Sequence, residues 1–231
     1  MKRFFSVTKF LWIGGIMGVL QQMLGDLDGI LYHGEKVYFR FAGMMDTFTI
    51  YAAIILLIII REVAPKQQFR DVLLFFVGLD LFYYLCQVAT RTIYSVYLNP
   101  NAQTQEELNS FAMTMVKQFA TDFVFWTTIG LAAAVWALLA TKFRNSGKKK
   151  LYILMLCPLF AVIIAELLIF AYALIVFAIR EYRIAHNLAS ADDPTTDCYI
   201  SNFLLSAVML VICLRKYLKK PAIKQNNTQE A

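Results

Sequence analysis

Histidine is almost missing from this chain. Only His33 and His186 occur, and both fall in or near hydrophilic connecting segments. That pair builds neither a bis-histidine haem site nor a multi-histidine zinc site inside an apolar region. The four cysteines, Cys86, Cys157, Cys198 and Cys213, form no CxxC pair and no metal-ligand spacing. Three of them lie in apolar stretches, where a thiol serves as a small hydrophobe, so neither a disulfide framework nor a zinc site is expected. Phosphate-cradling and nucleophile motifs are absent too: there is no P-loop, no dinucleotide fingerprint and no GxSxG elbow. Self-driven ATP hydrolysis, Rossmann-type cofactor binding and α/β-hydrolase chemistry therefore drop out. No catalytic residue, metal or cofactor is assigned.

Charge is the other shortage. Charged residues make up 16% of the chain and apolar ones 59%, against about 25% and 45–50% in a soluble domain. The apolar excess is concentrated in blocks such as Phe48–Ile60, Leu151–Ile179 and Phe203–Leu214. A block of about 20 apolar residues matches a hydrocarbon core of roughly 30 Å, and a helix satisfies its own backbone there. The expected fold is an all-α, polytopic membrane protein with about six transmembrane helices. The spans fall at roughly 5–25, 41–60, 72–98, 119–141, 151–179 and 199–218, with a basic, disordered cytoplasmic tail over 219–231. Met1-Lys2-Arg3 before an apolar run resembles a signal peptide, but no small-x-small site follows and Gln21 and Gln22 continue the segment. It reads as a retained first span. Gly14 and Gly18 form a GxxxG that favours close helix contact within the chain. Pro158 is expected to kink the fifth span. The polar 99–118 connection is expected to be a loop with room for a short surface helix.

Sixteen basic residues lie at the N-terminus, in 61–71, in 142–150 and in 215–231, while five (Lys36, Arg40, Lys117, Arg180 and Arg183) lie in the alternate connections. The positive-inside rule then puts both termini in the cytoplasm, in a cell (plasma) membrane. Topology and anionic lipid account for Lys148-Lys149-Lys150 and Lys219-Lys220, so nucleic acid is not an expected partner. The basic inner face is a place where a membrane or cytoplasmic protein partner could dock.

Charges inside the spans carry the functional information, since each costs at least ~2.5 kcal/mol at the centre of an inserting helix. They are Asp46, Asp80, Arg91, Asp122 and Glu166, four acids against one base. Asp80, Tyr84, Gln87, Arg91 and Tyr94 share one stripe of the third span, which must face other helices or a wet cavity. Asp80 and Arg91 are about 16 Å apart along the axis and need separate partners. Asp46 and Arg91 lie at similar depth and form the expected pair, with Asp122 as the other candidate partner and Asn202 and Gln87 completing the network. Glu166 lies near the middle of the fifth span with no base at its depth, so it takes a proton or a bound cation. Fixing helix register is the bland alternative for all of these residues.

The substrate-binding set is thus Asp80, Gln87, Arg91, Glu166, Asp46, Asp122, Tyr84 and Asn202. The leading expectation is a non-catalytic solute-binding or transport protein for a cation, a proton or an amine-bearing small molecule. The others are an accessory or assembly subunit of a membrane complex, and a membrane-embedded lipid-modifying enzyme using paired carboxylates.

Overall fold

The computed structural model describes residues 2–31, 47–93, 105–186 and 200–218, with side chains for 8–27, 47–90, 113–186 except 115, and 200–218. Six α-helices account for almost all of them: α1 Lys2–Leu31, α2 Phe48–Ile60, α3 Pro65–Ile93, α4 Gln105–Asn145, α5 Lys149–Ala185 and α6 Ile200–Leu218. No strand occurs among the described residues. Five helices are long and apolar enough to cross a bilayer, and α2 is the short one. The chain is a helical membrane protein with several crossings. Large apolar side chains cover the outward faces of α4, α5 and α6, among them Phe125, Leu168, Ile169, Ile175 and Val211. In water such a surface would drive association; in lipid it needs no partner.

The helices differ from the expected spans in instructive ways. α2 is only 13 residues long, about 20 Å, and 41–46 at the start of the expected second span lie outside the described residues. So do Asp46, 94–98 and the tail 219–231. The sequence of α2, FTIYAAIILLIII, is rich in β-branched residues that suit a strand in a soluble protein. In an apolar medium the backbone must satisfy itself, and the helix wins. The expected loop up to residue 118 is instead continuous with α4 from Gln105. No Pro or Gly interrupts 105–129. α5 runs helical through Pro158 without a break.

α2 is the hub. It touches α3, α4, α5 and α6, and nine of its 13 residues are buried. A helix that is apolar all round belongs in the centre. α1 packs chiefly along α3. A Cβ on Gly14 would strike the Phe75 carbonyl, one on Gly18 the Leu79 carbonyl, and one on Gly78 the Leu11 carbonyl. The GxxxG of α1 thus does its packing inside the chain, and the backbones approach closely because these positions lack side chains. The contacts also show that α1 and α3 run in the same direction. α2 and α6 do likewise, with Thr49 meeting Ser206 and Ala53 meeting Cys213. α4 and α5 form a hairpin closed by a Schellman turn: Lys148 N–H bonds the Phe143 carbonyl at 3.0 Å, and Gly147 N–H bonds the Arg144 carbonyl at 3.2 Å. Gly147 takes the positive φ of 70° that this turn requires.

Candidate functional site

Every α-helix leaves four N–H groups at one end and four carbonyls at the other without intrahelical partners. α2 has this problem at both ends, and other helices solve it. At its N-terminus the Thr47 side chain makes no cap bond. Glu166, from the middle of α5, takes that role. Its Oε1 accepts the Phe48 N–H at 2.9 Å and its Oε2 accepts the Thr49 N–H at 2.7 Å. A carboxylate here meets the positive end of the helix dipole as well as two donors. Beside it the buried hydroxyls of Thr49 and Ser206 lie 3.3 Å apart. Asn202, buried one turn before Ser206 on α6, accepts a bond from the Ser201 hydroxyl at 3.2 Å.

The C-terminus of α2 is held by one guanidinium and one amide. Gln68 Nε2 donates to the carbonyls of Ile58, Ile59 and Arg61 at 3.1, 3.1 and 2.7 Å. Arg144 Nη1 donates to the Ile59 and Arg61 carbonyls at 3.1 and 2.6 Å, and Nη2 to the Val63 carbonyl at 3.3 Å. The Thr141 hydroxyl donates to Gln68 Oε1 and so orients the amide. Arg61 and Arg70 both pair with the buried Asp71, at 3.0 and 3.1 Å, and the Arg61 guanidinium sits 4.8 Å from the Phe10 ring centroid. Gln68, Asp71 and Arg144 were not singled out by sequence. The basic residues read there only as topology signals, and Gln68 carried no signal beyond being an amide at the start of an apolar run.

Apart from these two capped ends there is a cavity of about 160 Å³, lined by Gln21, Tyr51, Leu79, Asp80, Tyr83, Tyr84 and Trp126. It joins α1, α2, α3 and α4. Asp80 is 4% exposed, and its Oδ2 is buried without a hydrogen-bond partner. The Tyr51 hydroxyl donates to Gln21 Oε1 at 3.3 Å. Tyr83 and Tyr84 meet edge to face at 5.1 Å, and Tyr51 and Trp126 lie 6.4 Å apart between ring centroids. Asp122 of α4 is an electrostatic neighbour of the Tyr84 hydroxyl, as are Tyr83 and Asp80.

The expected site residues therefore divide. Asp80 and Tyr84 line one cavity, and Asp122 adjoins it through Tyr84. Gln87 continues their stripe on α3, half-buried. Glu166 and Asn202 lie instead at the α2–α5–α6 junction, and Glu166 does not line the Asp80 cavity. Both sites involve the first turn of α2, since Tyr51 lines the cavity and Phe48 and Thr49 bind Glu166. The side chain of Arg91 and all of Asp46 lie outside the described residues, and with them the expected Asp46–Arg91 pair. The sequence pointed to neither Tyr51, Tyr83 and Trp126 nor Gln21 as cavity walls; only the packing of four helices makes them neighbours.

No protein-family model, curated protein or solved structure matches the chain.

Proposed function

We propose that this multi-pass membrane protein binds a small cationic solute or a proton beside Asp80, in keeping with solute binding or transport. The observation that carries the reading is the buried Asp80 carboxylate, whose Oδ2 has no partner and which lines a cavity large enough for a guest. An ionised carboxylate without a donor or counter-charge is strongly disfavoured away from water. A proton or a bound cation removes that cost. Asp122, one phenol away, adds a second negative group to the same region.

Orientation follows from the basic residues. The end of the bundle holding the N-terminus of α1, the C-terminus of α2, the α4–α5 turn and the C-terminus of α6 carries Arg61, Arg70, Lys142, Arg144, Lys148, Lys149, Lys150, Arg215 and Lys216. By the positive-inside rule this end is cytoplasmic, and it is the face a cytoplasmic protein or an anionic lipid surface would meet.

An assembly-subunit reading has its own support in the paired polar groups at the two ends of α2, which need no ligand. The Asp80 cavity separates the two. Wild type and Asp80→Asn, each in lipid nanodiscs, are compared for thermal stability across monovalent, divalent and organic cations and across pH. Stabilisation by a cation or by protons in the wild type alone supports the binding reading. Equal responses in both proteins, or none, overturn it.

A further inference from the structure

We propose that the cavity beside Asp80 takes a methylated ammonium cation; this rests on the cation-binding reading above and names its ligand class. The chemistry of the walls decides between a metal ion, a proton and an organic cation. A metal ion that sheds its water needs about six or more oxygen ligands. Asp80 is the one carboxylate among the lining residues. Among the described residues no three His, Cys, Asp or Glu side chains come together. A proton would neutralise Asp80 but would fill none of the space.

Four of the seven lining residues are aromatic: Tyr51, Tyr83, Tyr84 and Trp126. Aromatic walls beside a carboxylate are how proteins hold quaternary ammonium groups, because the ring quadrupoles attract a diffuse positive charge that carries few waters. The volume of about 160 Å³ is close to the ~150 Å³ of cavities that accept a benzene-sized guest. A fully methylated nitrogen donates no hydrogen bond. It therefore suits a cavity where Gln21 Oε1 already accepts the Tyr51 hydroxyl and where Leu79 supplies an apolar surface for methyl groups.

The test titrates tetramethylammonium chloride and choline chloride against the full chain in lipid nanodiscs at constant ionic strength, with NaCl, KCl and MgCl2 as controls. Thermal stability and tryptophan fluorescence are read together, since Trp126 is one of three tryptophans. The expected result is saturable stabilisation by tetramethylammonium, lost in Asp80→Asn. Trp126→Leu weakens the apparent affinity about three- to thirty-fold, while Trp126→Phe retains most of it. Should Trp126→Leu fail to fold, Tyr83→Leu tests the same wall with the same expectation. Asp80-dependent stabilisation by sodium, potassium or magnesium with no response to tetramethylammonium overturns the ligand class and leaves the Asp80 reading standing. So does an Asp80-dependent pH response alone. Removal of the Trp126 or Tyr83 ring without effect on tetramethylammonium affinity also overturns the ligand class. No Asp80-dependent response to any cation or to pH overturns both readings.

Discussion

Glu166 caps the first turn of α2, Asp80 lines a cavity to which Tyr51 of the same turn contributes, and their circumstances are opposite. Both are acids in the middle of long apolar helices, and by composition they look alike. Glu166 accepts two backbone N–H groups at 2.9 and 2.7 Å and faces the positive end of a helix dipole. Asp80 holds an oxygen with no donor at all, beside an aromatic cavity. The first is a cap whose loss exposes the backbone of the central helix. The second is a charge that the fold itself leaves unanswered. Depth in the membrane marks a carboxylate as expensive, but the partner decides whether the expense supports the fold or awaits a ligand.

The largest effect should come from removing the cap. Glu166→Ala leaves the Phe48 and Thr49 N–H groups without acceptors at the start of the hub helix, and hydrogen bonds to a charged group contribute about 1.5–3 kcal/mol each. A loss of about 2–4 kcal/mol is expected, seen as a lower melting temperature in mild detergent. Glu166→Gln keeps one carbonyl oxygen and loses the charge, so it should cost about half as much. A Glu166→Gln variant as stable as wild type would show that the carboxylate is protonated or that the cap is dispensable, and the contrast with Asp80 would collapse.

The other end of α2 gives the next effect. Arg144→Ala removes donors to three carbonyls, but Gln68 still serves two of them and adds the Ile58 carbonyl. Arg144 is only half-buried, so solvent replaces part of what is lost. About 1–2 kcal/mol of destabilisation is expected in the same assay. Adding Gln68→Ala to Arg144→Ala should cost more than the two single changes combined, because each amide or guanidinium covers for the other. Strict additivity in that cycle would show that the two caps act independently.

The helical, multi-crossing class was legible from apolar run length alone, and so was the α1 contact, because GxxxG acts through backbone approach. The stripe from Asp80 to Tyr84 was legible from helical spacing. Glu166 stood out by depth, but its partner was hidden, since the partner is backbone and every sequence has backbone everywhere. Arg144 was masked by a second role, as its charge also fits the positive-inside pattern. The length of α4 was misjudged because Glu106, Glu107 and Lys117 read as loop polarity, although they lie on a helix with no breaker before Gly130.

The smallest effect on stability, and of opposite sign, is expected at Asp80. Asp80→Asn replaces a carboxylate whose Oδ2 has no donor with an amide of the same shape. If the acid is ionised in the empty cavity, the change removes an uncompensated charge; if it is protonated, one neutral group replaces another. Stability in the absence of ligand should therefore stay level or rise, by about 0–2 kcal/mol. Ligand-dependent stabilisation should vanish at the same time. A structural acid behaves in the reverse way: its neutral isostere weakens the fold and leaves ligand responses intact. Melting curves of Asp80→Asn and Glu166→Gln, taken side by side with and without tetramethylammonium, measure both quantities at once. Asp80→Asn falling as far as Glu166→Gln would mean that Asp80 has a partner that holds the fold, and the cavity beside it would lose its claim as a binding site.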